Sequence, residues 1–340
     1  MADQPKLVDA DTTPPDEFSL IKTLFLPLTG GRAEAAGLLD DAAFVTSRPG
    51  QEQVITTDQM IVGRHAMADE PYDALAQRCL RRAVSDLAAK GATPDLYFLS
   101  IAWPETVTYE EMRTFCAGLL ADQAKFGIRL AGGDTAKTDG ALSVAMTAIG
   151  WAPEGGSIRR SGAEPGDVVM VTGAIGDAMA GLKALMGQLP DGLSDEAKAH
   201  VIDRYQKPQP RTEMIEALRG KASASIDVSD GLVADLEHLA EASQVKIEID
   251  LERVPISTTV KDWVELAENP VEAFGQVVNG GDDYEIVFTA PAREAANIAL
   301  AAKAVDLDVT PIGRVWPGQG VVCNLHGQPF PVSSRGFRHF

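Results

Sequence analysis

At 340 residues the chain is long for a single hydrophobic core, so two domains are expected. Its 45% hydrophobic and 23% charged residues are those of an ordinary globular protein, and 49 acids against 30 bases give a net charge of −19. That balance argues against a nucleic-acid partner, whose phosphates it would repel, but admits small phosphorylated ligands if divalent cations bridge acid to phosphate.

In chain order, residues 1–16 are polar, acidic and proline-bearing, and read as a flexible tail without the basic start and apolar core of a signal peptide. No uninterrupted apolar run of about 18 residues occurs, so no membrane contact is expected and the protein is read as soluble and cytoplasmic. A helix is predicted over 17–26, with Phe18, Ile21, Leu24 and Phe25 on one side. Leu38 to Val45 places the pair Asp40-Asp41 at the entrance to a short strand. Gln53 to Thr57 is strand-like and ends at Asp58, with His65 seven residues beyond. A strong helix runs from about Asp73 to Lys90 and stops at Gly91, carrying Asp86 among small residues. A strand over 96–102 and a helix over 109–126 lead to Ile128-Arg-Leu-Ala-Gly-Gly-Asp-Thr135, around which the first half is organised. Asp134 is read at the end of that strand, facing a second one over 141–152. Gly132 and Gly133 remove side chains where a ligand could lie against backbone N–H groups, and Asp134 would hold a metal; a tight turn with a solvated Asp is the alternative.

Pro153-Glu-Gly-Gly-Ser157 marks a domain boundary. Beyond it come a strand over 168–172 and a helix opened by Gly173 and Gly176, which serve either a phosphate turn or close helix–strand packing. Helices at 194–206 and 211–218 follow. The strand 224–228 leads into Ser229-Asp230-Gly231 and a helix to about Ala242. Strand 246–251, the stretch Gly280-Gly-Asp-Asp-Tyr-Glu285, strand 286–289, helix 293–304 and strand 309–315 complete the pattern. Strands and helices alternate, which predicts two mixed α/β domains, the second a sheet covered by helices. Gly-Gly-Asp occurs at 132–134 and 280–282, and Val-Ser-Asp at 84–86 and 228–230, so the halves echo each other.

The three cysteines, Cys79, Cys116 and Cys323, form no C-x-x-C, so neither a zinc nor a redox site is suggested. The candidate acids are Asp40, Asp41, Asp58, Asp86, Asp134, Asp227, Asp230, Asp282 and Asp283. Most adjoin apolar strand ends or Ala-rich helices, where an unpaired carboxylate is expensive. Taken singly each has a structural reading: Asp230 can favour a helix dipole with Ser229 as N-cap, and Asp58 and Asp283 can form turns. Together they point to clusters of Mg²⁺, which prefers hard oxygen ligands. No P-loop, dinucleotide-binding fingerprint, kinase catalytic loop or nucleophile elbow is present. Metals and positioning therefore carry the chemistry, as phosphoryl transfer requires.

With these residues laid out, the chain resembles the thiamine-monophosphate kinase family, within the aminoimidazole ribonucleotide synthetase-like ATP enzymes. The resemblance rests on Asp-Asp-Ala-Ala (40–43), Thr-Thr-Asp (56–58) with Gly63-x-His65, Ser-Asp-Leu-Ala-Ala-x-Gly-Ala (85–92) and Gly-Gly-Asp-Thr (132–135). It continues through Arg-Ser-Gly-Ala-x-Pro-Gly-Asp (160–167), Asp-x-Ser-Asp-Gly-Leu (227–232), Gly-Gly-Asp-Asp-Tyr-Glu (280–285) and Gly-Phe-x-His-Phe (336–340). It implies transfer of the ATP γ-phosphate to thiamine monophosphate. It implies that Asp41, Thr56, Thr57, Asp58, Asp86, Asp134, Asp227 and Asp230 hold several Mg²⁺ ions. Gly133, Asp134, Arg160 and Ser229 would contact ATP, and His65, Asp282 and Phe337 thiamine monophosphate. It further implies a homodimer, with 17–152 as the ATP- and Mg²⁺-binding domain whose sheets join into a barrel-like interface, and 153–340 as a second α/β domain. Leu39, Ala66, Ala83, Lys137 and Asp282 depart from the family pattern, which usually has Glu at the last position. Other ATP enzymes of the group (an aminoimidazole ribonucleotide synthetase or a selenophosphate synthetase) and a non-catalytic nucleotide-binding dimer are the alternatives.

Overall fold

The computed structural model describes residues 16–330; the tail reading for 1–15 and the assignment of Phe337 lie outside the described residues. The chain divides into two compact units, one ending at Gly155 and the other beginning at Gly156, with Ala88–Gly91 grouped with the second.

In the first unit Asp16 caps a short helix α1 (Glu17–Leu20) by accepting from the Ser19 N–H. The predicted helix does not stay regular: it widens to a π turn over Ile21–Phe25, then tightens to a 3₁₀ turn over Leu26–Thr29 around Pro27, which has no N–H to donate. Strand β1 (Gln51–Ile61), helix α2 (Tyr72–Ala89), strand β2 (Thr93–Pro104), helix α3 (Tyr109–Phe126), strand β3 (Arg129–Thr138) and strand β4 (Ser143–Pro153) follow. Helix α3 starts at a capping box between Thr108 and Glu111 and stops at Gly127, whose φ of +68° suits glycine. The sheet order is β1-β4-β2-β3, with only β2 and β3 parallel, so α3 is their crossover. One sheet face meets α2 and α3 through Leu80, Val84, Leu87, Leu99, Trp103, Phe115 and Met146. The other face carries the outward residues of β1, with Ile55 56% exposed.

In the second unit come β5 (Val168–Thr172), α4 (Asp177–Leu185), α5 (Asp195–Gln206), α6 (Ile215–Leu218), β6 (Ala224–Asp227), α7 (Leu232–Ser243) and β7 (Lys246–Asp250). They continue with α8 (Thr258–Leu266), α9 (Pro270–Asn279), β8 (Ile286–Ala290), α10 (Ala292–Lys303), β9 (Val309–Trp316), β10 (Gly320–Leu325) and β11 (Gln328–Pro329). The sheet order is β11-β10-β7-β9-β5-β8-β6, with β7 and β10 parallel and the other pairs antiparallel. Strands β5 and β8 are apolar on both faces. Val169, Val171 and Val287 join the core with α7, α8 and α9, while Met170, Ile286 and Phe288 pack with α6 and α10. Burial on both sides explains why these strands read as continuous apolar runs.

Both mixed α/β domains are as the sequence predicts, but three placements differ. No strand follows Asp40-Asp41: residues 39–49 are irregular. Asp58 lies inside β1 and Asp134 inside β3, because both strands run on past the apolar residues that announced them. Each is therefore presented from a strand, and the turn reading fails for both. Helices α8 and α9 and strands β10 and β11 have no counterpart in the sequence reading.

Candidate active site

In the first unit a cavity of about 450 Å³ is lined by Asp40, Asp41, Phe98, Gly132, Gly133 and Asp134, among others. It joins the irregular 39–43 segment to β3, so two of the expected metal ligands, Asp41 and Asp134, share one hollow with exposed side chains. The two glycines beside Asp134 do different things. A Cβ on Gly133 would stand 1.9 Å from the Leu99 carbonyl oxygen, where β2 and β3 close up after a register shift. One on Gly132 would meet only the Phe98 ring at 3.4 Å. Gly133 is thus required by its own sheet, and Gly132 is the one that leaves space at the cavity.

A second group lies between β1 and α2. Thr56 Oγ1 donates to Asp86 Oδ2 at 2.5 Å, and Asp58 accepts from Arg82 at 2.7 Å. Burial pushes the Asp58 carboxyl above its usual range, and neighbouring Asp86 adds to this while Arg82 opposes it. Strand alternation turns Thr57 to the opposite face, where its hydroxyl meets that of Thr147 at 2.9 Å. Thr57 therefore does not join Thr56, Asp58 and Asp86 through its side chain. His65 lies in the turn after β1, and its Nδ1 accepts the Ile61 N–H at 2.9 Å, so a neutral ring carries its proton on Nε2.

In the second unit the end of β6 and the start of β8 are neighbours, Asp227 pairing with Ile286, so the two loops leaving them meet. The Asp282 N–H donates to the Ser229 carbonyl at 2.8 Å and the Tyr284 N–H to that of Val228 at 2.9 Å. This brings Asp227, Ser229, Asp230 and Asp282 to one end of the sheet. Ser229 is not the helix N-cap: α7 begins after Gly231, and the N–H groups of Ser229 and Asp230 both donate to Asp235 Oδ2 at 3.0 Å. Burial first, then the charges of Asp227 and Asp230, push the Asp235 carboxyl well up. Asp235 was not singled out from the sequence; its signal is an acid in the first turn of a helix opened by two other acids.

Arg160 does not accompany Ser229 through its main chain. Its carbonyl accepts from Ser243 Oγ at the far end of α7, about 18 Å along a twelve-residue helix. Gly173 and Gly176 serve packing rather than a phosphate turn. A Cβ on Gly173 would stand 2.2 Å from Glu285 Oε1, and one on Gly176 2.5 Å from Val277 Cγ1.

Among the described residues no three acidic, imidazole or thiolate side chains form a ready-made metal cage. The donors nonetheless suit Mg²⁺, which takes one or two carboxylates and completes its shell with phosphate oxygens and water. Crowding of Asp58 with Asp86, and of Asp235 with Asp227 and Asp230, is the electrostatic situation that a cation relieves.

Residues 39–152 match the model of the AIR synthase related protein N-terminal domain, and 164–326 that of the C-terminal domain. The chain belongs to the AIR synthase related family. Within this family it is 44% identical to thiamine-monophosphate kinase of Caulobacter vibrioides, over 96% of this chain and 91% of that protein. The Salmonella typhimurium enzyme of the same name is 35% identical, over 95% and 98%. The crystal structure of thiamine-monophosphate kinase from Stenotrophomonas maltophilia superposes with a TM-score of 0.81 at 34% identity, covering 92% of this chain and 97% of that one. The structure of AaThiL complexed with AMPPCP and TMP gives 0.76 at 30%, covering 87% and 89%. Among the described residues no helix is long and apolar enough to cross a membrane.

Proposed function

We propose that this protein is a thiamine-monophosphate kinase that transfers the γ-phosphoryl group of ATP to thiamine monophosphate, giving thiamine diphosphate and ADP, in the cytoplasm and as a homodimer. The observation that carries the reading is 44% and 35% identity, over nearly the whole chain, to enzymes of that name; the crowded carboxylates on both units support it. Asp41, Asp58, Asp86 and Asp134 of the first unit and Asp227 and Asp230 of the second would hold Mg²⁺, with Thr56 orienting Asp86. Bound Mg²⁺ supplies charge neutralisation between two phosphate groups that otherwise repel. The acceptor needs no general base: a phosphate monoester has a second pKa of about 6, so its oxygen is already largely anionic at neutral pH. That oxygen forms the new bond to the γ-phosphorus as the bond to the β–γ bridging oxygen breaks and ADP departs with the electron pair. No phosphorylated protein arises. The chain's part is to position the two substrates: Asp41 and Asp134 at their shared cavity, His65 and Asp282 toward thiamine monophosphate, Ser229 and Gly133 toward ATP.

The test is ADP release by purified protein with ATP and Mg²⁺, with and without thiamine monophosphate. Release that depends on thiamine monophosphate and stops with a chelator is expected. Release that depends instead on formylglycinamidine ribonucleotide or selenide, or none with binding retained, would favour the other ATP enzymes of the group or a binding dimer. A selenophosphate synthetase is already disfavoured by its need for a reactive cysteine near the amino terminus. Cys79, the first in the chain, is buried in α2, and burial pushes its thiol up to about 12.

A further inference from the structure

The stretch Asp282-Asp283-Tyr284-Glu285 alternates in a way the reaction above does not use. Asp282 and Tyr284 both adopt left-handed backbone, with φ of +70° and +53°, although neither is glycine. Such conformations are strained for residues other than glycine and persist where the surroundings over-determine them. The Tyr284 hydroxyl donates to Asp282 Oδ1 at 3.1 Å, which fixes the direction of the Asp282 carboxylate.

The residues between are buried anchors. Asp283 Oδ2 accepts the Gly176 N–H at 2.8 Å and Oδ1 the Ala178 N–H at 3.1 Å, so it caps α4 from more than a hundred residues away. No side chain near α4 in sequence does this. Glu285 is fully buried and accepts from Thr172 Oγ1 at 2.6 Å, Arg204 Nη2 at 3.0 Å and both Nε and Nη2 of Arg211. Arg204 also approaches Asp177, in the first turn of α4, at 3.9 Å. Asp283 is thus fastened to the start of α4, and Glu285 to Arg204, which itself approaches the same helix end, and to Arg211. Gly173 lacks a side chain at the point where one would strike Glu285 and Arg211.

We propose that Asp283 and Glu285 are positioning residues: fastened to α4 and to Arg204 and Arg211, they hold the left-handed Asp282–Tyr284 loop so that the Asp282 carboxylate is set for thiamine monophosphate. The assignment rests on the kinase reading, and it makes two residues that present no side chain to the acceptor set the affinity for it.

The experiment is steady-state kinetics of the full chain with each substrate varied. Asp283→Ala should raise the KM for thiamine monophosphate about tenfold while kcat and the KM for ATP stay near wild type, since a contact made equally in ground and transition states moves KM alone. Asp283→Asn keeps one of the two acceptors and should fall between. A wild-type KM for thiamine monophosphate in Asp283→Ala, or equal rises for both substrates, overturns the proposal. Where Asp283→Ala does not fold by circular dichroism, Glu285→Gln decides. It keeps the volume but removes the negative charge that Arg204 and Arg211 pair with, and should raise the same KM selectively; an unchanged value overturns the proposal. Wild-type turnover, measured in the same series, separates the two claims: wild type without thiamine monophosphate-dependent turnover defeats the kinase reading itself.

Discussion

Asp86 shows how a residue's surroundings set its role. It sits on α2 between Ser85 and Leu87, both fully buried, yet is itself half-exposed and takes the Thr56 hydroxyl. A carboxylate kept on an apolar helix face without a cation of its own is costly, which is why a metal role fits. Asp86→Asn and Asp134→Asn keep shape and remove charge; each should cut kcat by about a hundredfold or more with the circular dichroism spectrum unchanged. Near-wild-type rates would remove them from the metal site. Asp283 allows a test of a different kind. Burial pushes its carboxyl up to about 8, Asp177 adding to this while the Gly176 and Ala178 N–H groups and Arg204 oppose it. Between the ordinary carboxylate range and about 8 the folded state then binds more protons than the unfolded one, so this group's contribution falls as pH rises through that window and is level above it. Thermal midpoints of wild type minus Asp283→Asn should decline from pH 5 to 8; a flat difference refutes the shift. Such residues were only partly legible. Asp86 stands out by its Ala- and Leu-rich flanks and Asp134 by the two glycines before it. Glu285 gave no local sign of Arg204 and Arg211, because its partners lie 81 and 74 residues away.

At the scale of elements, periodicity located what is long and one-sided. Helix α3 falls on 109–126 as read, since it has a capping box at one end and a glycine at the other. Helices α8 and α9 are not read from the sequence, although Val260 and Trp263 in one and Ala273, Val277 and Val278 in the other give each a buried face. The strand ends were misjudged for a physical reason. Beyond Ala131 every residue of β3 is half-buried or exposed, so apolarity stops where hydrogen bonding does not. The β2–β3 pairing makes a further prediction. Gly133→Ala would drive a methyl into the Leu99 carbonyl and should cost about 3 kcal/mol. Gly132→Ala, at van der Waals distance from Phe98, should leave stability nearly unchanged and act instead on nucleotide affinity. Denaturant midpoints and nucleotide titrations separate the two. Equal destabilisation would mean that both glycines serve packing alone.

For the molecule as a whole, alternation marks the two mixed domains and net charge argues against nucleic acid, while assembly has to be argued from the edge of the first sheet. Among the described residues β1 pairs on one side only, with β4, and its eleven residues leave a long edge. Unpaired N–H and C=O groups along such an edge are a template for another strand unless charge, proline or a covering element blunts them. Over 51–61 the charged residues are Glu52 and Asp58 and there is no proline, while Ile55 stands outward between Gln53 and Thr57. A second copy of this chain laid against the same sheet would cover Ile55 and allow the barrel-like closure that the open four-stranded sheet lacks alone. Light scattering should give twice the 36.1 kDa chain mass. Ile55→Lys should shift the protein toward monomer, because it buries a charge in an isologous contact twice over. Should wild type run as a monomer at micromolar concentration, or Ile55→Lys stay dimeric, the β1 face is not the contact, whatever the fate of the kinase assignment.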